Sequence, residues 1–276
     1  MKRQLLAAAS LIMVGLVAGC GGSSTAPANS STSAITGKVA DGYLVGASVF
    51  LDKNGNYQLD TGEPSATTDE NGAYTLTVDA ADVGLYHIVA LAIQGVTVDK
   101  DTNQAVANSY LLSLPKYSVS GTVSSNFISP ISSQLREMME TGKYATIQQA
   151  MEDLRVRLGM PAGTNMAADY ISGGNQRMHS AAQNMATLMG GQMPQVFGTH
   201  SSVTTVDVNR YRGMMGAIFS NISSIGGTDA QTAMNNLMST MTSQMANIAP
   251  GQPFRNMSTS FRGGMMGGGT GGSMMR

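Results

Sequence analysis

Residues 37–76 read GKVADGYLVGASVFLDKNGNYQLDTGEPSATTDENGAYTL. Short runs that alternate or concentrate apolar residues, such as Ala47-Ser48-Val49-Phe50-Leu51 and Ala73-Tyr74-Thr75-Leu76, are separated by clusters of Gly, Asn and Asp. Runs of this kind are strands, and the clusters between them are turns. Asn71-Gly72, placed between Thr67-Thr68 and Tyr74, is the strongest hairpin signal in the chain. The pattern continues outward through Ile35 to Val39, His87 to Ile93 and Tyr117 to Ser120. Residues 35–124 are therefore predicted to form a small antiparallel β-sandwich.

Inside that stretch, DKNGNYQLDTGE (residues 52–63) places oxygen-bearing side chains at loop positions 1, 3, 5, 9 and 12. These are Asp52, Asn54, Asn56, Asp60 and Glu63, with Gln58 at position 7 offering its backbone carbonyl. Calcium needs six to eight oxygens wrapped around it, and this spacing supplies them. Position 6 is Tyr57, where a helix-flanked calcium loop of the EF-hand type uses Gly for its sharp turn, and the flanks here are strands. The same Asn, Asp and Gly residues also serve a metal-free Asx turn. The pattern as a whole, including the hairpin residues Asp69, Asn71, Gly72 and Tyr74, resembles the carboxypeptidase-regulatory-like and adhesin B-repeat group of bacterial β-sandwiches. That resemblance implies a stalk or scaffold module, often stabilised by calcium, and no enzymatic activity.

Beyond about residue 125 the apolar period becomes helical. Ser129-Pro130 supplies an N-cap and a first-turn proline for a helix to about Thr141. Thr146 and Gln149 have capping-box spacing, and Gly159-Met160-Pro161 ends the helix that follows. Residues 175–189, 206–225 and 228–248 are three further predicted helices, the last opening with a Thr228–Gln231 capping box. Ser129-Pro130-Ile131-Ser132 and Leu158-Gly159-Met160-Pro161 resemble the "SPLT" start and "LGLP" end of a helical segment that follows such sandwiches in bacterial surface lipoproteins. The expected fold class is α+β in separate domains: an N-terminal antiparallel β-sandwich, then a Met-rich helical domain over residues 125–250.

Of 22 methionines, 20 lie after residue 137. Met234, Met238, Met241 and Met245 share one helical stripe with Leu237 and Ile248. Thioethers fill irregular core space well, and they also bind the soft ions Cu(I) and Ag(I); the same stripe serves both. Met265, Met266, Met274 and Met275 fall in the Gly-rich segment 251–276, expected to be a disordered tail in which core packing offers no explanation for them.

At the other end, Lys2-Arg3 precedes an uncharged apolar stretch over residues 5–17, too short to span a bilayer, which needs about 20 residues. This is the form of a secretory signal. Val17-Ala18-Gly19-Cys20 resembles the lipobox of bacterial lipoproteins, which implies cleavage before Cys20 and acylation of Cys20. Gly21, rather than Asp, follows the cysteine, so the resemblance implies an outer-membrane lipoprotein of a Gram-negative bacterium. Residues 21–34 are expected to be a flexible tether.

A formal charge of -1 gives no basic face for nucleic acid. One cysteine cannot form an intramolecular disulfide or a cysteine-based zinc site. His87, His179 and His200 lack metal-ligand spacing, and no phosphate-binding glycine motif is present. Glu137, Glu140, Glu152 and Asp153 read as solvated helix faces. No catalytic set and no small-molecule substrate are indicated. The expected role is a lipid-anchored envelope protein with a structural, adhesive or interaction function and a protein or envelope partner. The alternative expectation is a periplasmic or surface Cu(I)/Ag(I)-binding protein.

Overall fold

The computed structural model describes residues 31–119, 126–197, 205–226, 230–247 and 249. The expected signal segment, most of the tether, and the Gly/Met-rich tail lie outside them.

Among the described residues, ten strands precede six α-helices. A sheet of order β10-β1-β5 joins β1 (Thr32–Val39), β5 (Ala73–Asp79) and β10 (Asn126–Ile128). It faces a four-stranded sheet of order β4-β3-β6-β9, built from β3 (Ser48–Asp52), β4 (Ser65–Thr67), β6 (His87–Ala92) and β9 (Tyr110–Leu114). A small third sheet holds β2 (Leu44–Val45), β7 (Val98–Asp99) and β8 (Gln104–Ala105). The expected antiparallel sheets are thus present, with a difference in pairing. β1 runs antiparallel to β5 and parallel to β10, so that sheet is mixed. The parallel pair is tight: a Cβ on Gly37 would collide with the Asn126 carbonyl oxygen, so only glycine lets the two backbones meet.

β5 alternates in burial, as a sheet face against solvent requires: Tyr74, Leu76 and Val78 point inward while Thr75, Thr77 and Asp79 are exposed. β3 and β9 do not alternate, because nearly every residue in them is buried. A strand that is apolar throughout needs cover on both faces. The second cover comes from the helices: α1 (Pro130–Glu140) and α3 (Gln176–Val196) pack on β9, and Tyr211 of α4 (Val208–Ser220) donates to the Leu111 carbonyl oxygen at 3.1 Å.

Across the division expected near residue 125 the described residues pack together: buried residues of strands and helices form one continuous core. β10, on the helical side of that boundary, is a strand of the first sheet.

Other differences are local. Asn71-Gly72 makes a tight turn, with Gly72 N–H bonded to the Asp69 carbonyl, but its flanking strands pair with different partners and so connect the two sheets. Lys116–Ser118 is one turn of 3₁₀ helix where a strand was expected. α2 (Ile147–Arg157) starts at its Thr146 cap. α3 runs seven residues past Met189, and the helix expected over 206–225 breaks at Asn221 into α4 and the short α5 (Ile222–Ile225). α6 (Ala230–Ala246) completes the fold, and Thr228 of its expected capping box lies outside the described residues. No helix among the described residues is long and apolar enough to cross a membrane.

Candidate functional site

The oxygen-rich loop leaves β3 at Asp52 and closes on itself. Asp52 Oδ1 accepts from the N–H groups of Gly55 (2.9 Å) and Asn56 (3.0 Å). Asn54 Oδ1 accepts from Asn56 N–H at 3.1 Å, and Asn56 Oδ1 from Gln58 N–H at 2.8 Å. Both Asn54 and Asn56 direct their Nδ2 at Asp60 Oδ2, each at 2.7 Å. Glu63 completes the ring, accepting from Lys53 N–H at 2.7 Å and Asp60 N–H at 3.0 Å. All five side chains predicted from spacing are thus brought into one small loop.

Three backbone positions make the wrap possible. Gly55 has φ 77°, Tyr57 φ 62° and Gly62 φ 92°, all left-handed. Position 6 of the loop therefore takes the conformation that glycine supplies in helix-flanked calcium loops, here adopted by a tyrosine. A non-glycine residue in that region costs about 1–2 kcal/mol. The Tyr57 ring offsets this by burial to 1% exposure. It stacks under the Arg136 guanidinium at 3.8 Å and lies 4.6 Å from the Tyr211 ring.

Which groups could hold a cation follows from the donor chemistry. Asp52, Asn54, Asn56, Asp60, Glu63 and the Gln58 carbonyl are hard oxygen donors of the kind calcium takes, but both oxygens of Asp52 and Oδ2 of Asp60 each already accept two hydrogen bonds, so binding would require those bonds to give way. As folded, however, the loop gathers carboxamide N–H groups around Asp60. No group of three or more His, Cys, Asp or Glu side chains able to hold a metal ion occurs among the described residues.

Beneath the loop lies a buried ionic network that sequence reasoning missed. Asp52 Oδ2 receives Arg136 Nη2 at 2.8 Å, with both side chains 1% exposed or less. Tyr57 Oη donates to Glu137, which is 1% exposed and is a core residue, contrary to the solvated face expected of it. Burial pushes the Glu137 carboxyl up from its ordinary range and the Tyr57 hydroxyl well above its own. Half-buried Arg212 reaches toward Glu137 and Glu140 at 3.7 and 3.6 Å.

His87 has Nε2 3.1 Å from Glu140 Oε1, while its Nδ1 accepts from Lys116 N–H. Nε2 therefore carries the hydrogen. That donated bond holds Glu140 down to about 2, although burial keeps the imidazole itself below its usual range. A neutral imidazole N–H stabilises the carboxylate, so the two shifts are compatible. His179 likewise meets Asp101, at 2.6 Å.

The methionines predicted as alternative soft-metal ligands divide. Met234, Met241 and Met245 are buried core residues, together with Met178, Met185, Met189, Met193, Met214 and Met215. Packing gives each of them a role. Met238 is half-buried, and its sulfur lies 2.9 Å from Gln192 Nε2. Cys20, Met265, Met266, Met274, Met275 and His200 lie outside the described residues.

Compared with protein-family models, with curated proteins and with solved structures, the chain matches none.

One signal could have exposed the network: Arg136 and Glu137 stand on α1 between Leu135 and Met138, in a helix whose first nine residues are all buried. Charged side chains in so apolar a setting are almost never fully buried without partners.

Proposed function

We propose that this chain is a lipid-anchored cell-envelope protein with a structural, adhesive or interaction role, and that calcium held in residues 52–63 stabilises its fold. The observation that carries the reading is the build of the loop. Five oxygen-bearing side chains ring a turn with three left-handed positions, and its first residue, Asp52, is tied through Arg136 to α1. Calcium would supply there a central positive charge shared by Asp52, Asn54, Asn56, Asp60 and Glu63. Because these groups converge only when the chain is folded, the ion stabilises by mass action, by about 2.7 kcal/mol at a hundredfold excess over Kd. Asp52 links that loop to the core where sheet and helices meet. The anchor rests on Val17-Ala18-Gly19-Cys20, with acylation of Cys20 holding the protein at the outer membrane of a Gram-negative cell. The role is non-enzymatic, and the partner is another envelope component.

Two measurements test the two parts. Thermal melting in millimolar calcium against a chelator is expected to show a higher midpoint with calcium, and no difference in Asp60→Ala. An unmoved wild-type curve removes the calcium part. Metabolic labelling with palmitate is expected in the wild type and lost in Cys20→Ser; label retained in that variant removes the anchor.

A further inference from the structure

β5 ends the first sheet: in the order β10-β1-β5, no strand among the described residues lies on its other side. Its pairing with β1 fixes which backbone groups face that open edge. Just before β5 the Gly72 carbonyl accepts from Val39 N–H at 2.8 Å, and just after it Ala80 N–H donates to the Ser31 carbonyl at 2.8 Å. In an antiparallel ladder the residues that bond a given neighbour alternate, so Tyr74, Leu76 and Val78 bond β1 in the same way. Ala73, Thr75, Thr77 and Asp79 therefore aim their N–H and C=O groups away from β1. Ala73 uses both on the turn, its N–H on Asp69 Oδ1 at 2.9 Å and its carbonyl on Asp69 N–H at 2.8 Å. Those of Thr75, Thr77 and Asp79 have no partner among the described residues.

The side chains of Thr75, Thr77 and Asp79 are exposed beside these groups. Folded proteins ordinarily shield such an edge with proline, lysine, a bulge or covering chain. From Ala73 to Asp79 there is no Pro, Lys or Arg, and the register with β1 runs without a break. Charge is confined to the two ends of the strand and has one sign. Between Ser65 and Asp82 the charged residues are Asp69 and Glu70 at the turn before β5, and Asp79 and Asp82 at its far end, with no Lys, Arg or His. Lys53 Nζ meets Asp82 at 2.7 Å. Asp69, Glu70 and Asp79 are exposed and form no salt bridge among the described residues.

We infer that the β5 edge receives an extended segment of a partner protein as a further strand of the first sheet, uncharged at its centre and carrying Lys or Arg at both ends. Strand addition takes its affinity from main-chain hydrogen bonds, here to Thr75, Thr77 and Asp79. Outward side chains of the added strand lie beside Thr75 and Thr77, where Thr and β-branched residues pair well. Charge selects such a partner over a second copy. Two β5 strands paired antiparallel about a twofold axis would set the Asp69–Glu70 end of each beside the Asp79 end of the other, and like charges so placed repel. A segment with basic ends meets an acid at each end, whichever way it runs. The inference goes beyond the calcium loop and the lipid anchor, and requires neither the ion nor Cys20.

Fluorescence anisotropy of a labelled peptide, Lys-Thr-Val-Thr-Val-Thr-Lys, titrated with the full chain in the presence of chelator, tests the inference with calcium excluded. Saturable binding is expected, at least about tenfold tighter than that of the same peptide with Glu at both ends. Thr77→Pro deletes an outward N–H that β1 does not use, a change an edge strand accommodates. It is expected to abolish binding and leave the melting temperature nearly unchanged. Glu70→Lys with Asp79→Lys alters only exposed side chains and is expected to reverse the preference toward the Glu-ended peptide. Absence of saturable binding, equal binding of the two peptides, or a preference unchanged in the Glu70→Lys/Asp79→Lys variant overturns the inference. So does self-association of the unliganded chain that Thr77→Pro abolishes, which would give the edge to a second copy.

Discussion

Replacing Arg136 by methionine keeps a long unbranched side chain on α1 and removes one charge from the junction of loop, sheet and helices. In the wild type Arg136 Nη2 lies 2.8 Å from Asp52 Oδ2, with side-chain exposures of 1% and 0%. Its guanidinium also caps the Tyr57 ring at 3.8 Å. Removing one partner of a buried pair costs roughly 3–5 kcal/mol, because the other charge stays buried without compensation. Asp52 retains three backbone N–H donors, from Gly55, Asn56 and Tyr57, which places the expected loss near the lower limit, at about 3 kcal/mol. Urea denaturation reads this directly: with a slope of about 1–3 kcal/mol per molar, the midpoint falls by 1 M or more. Asp52→Asn with Arg136→Met together is expected to cost less than the sum of the two single changes. Among the described residues Arg136 Nε and Nη1 have no hydrogen-bond partner, so the intact pair already carries an uncompensated desolvation cost. A single Arg136→Met loss below about 1 kcal/mol, or strict additivity in the cycle, would refute the claim that this pair organises the junction.

Asp41→Asn is expected to stabilise the protein at pH 8. The folded carboxyl titrates near 7 against 3.8 for the free side chain, so its contribution is fully present below about 4 and is lost as pH rises through 7. The difference is at most about 4 kcal/mol, and the groups that face Asp41 and set it are Asp99, Asp101, Tyr110 and Tyr170, with His179 of α3 bonded to Asp101. Stability against pH for wild type and variant checks this: parallel curves between pH 4 and 8 would count against it. Gly37→Ala should cost about 1–3 kcal/mol by forcing β1 away from β10, measured by the same denaturation, and a neutral result would mean the parallel pair is not tight. Met241→Ala should cost about 2–5 kcal/mol as a core truncation, while half-buried Met238→Ala should cost less; equal losses would contradict the packing assigned to the α6 stripe.

Local chemistry made much of this fold legible. Ser129 and Thr146 cap helices where their sequences place them, because a cap is a contact over three residues. Alternation in residues 73–79 reads as β5 because one face of that strand meets water. β9 escaped notice for the opposite reason: Tyr110–Leu114 is buried throughout, so it carries no period to read. β10 depends on a parallel partner some ninety residues earlier, and no local signal announces such pairing. The packing of helices on β9 was illegible for the same reason, since they cover a sheet face that strand composition alone leaves unassigned. In the loop, the spacing was legible as one oxygen-rich turn, while the left-handed Tyr57 was unexpected because the Arg136, Glu137 and Tyr211 contacts that hold it come from distant helices. Asp41 carried no signal, as a lone Asp before Gly is an ordinary turn residue.

The central claim is tested most directly by the stoichiometry of calcium binding to the purified protein, measured by equilibrium dialysis on wild type and Asp60→Ala. One calcium per chain, abolished in Asp60→Ala, is the predicted result. No bound calcium at millimolar concentration, or a stoichiometry that Asp60→Ala leaves intact, would contradict it.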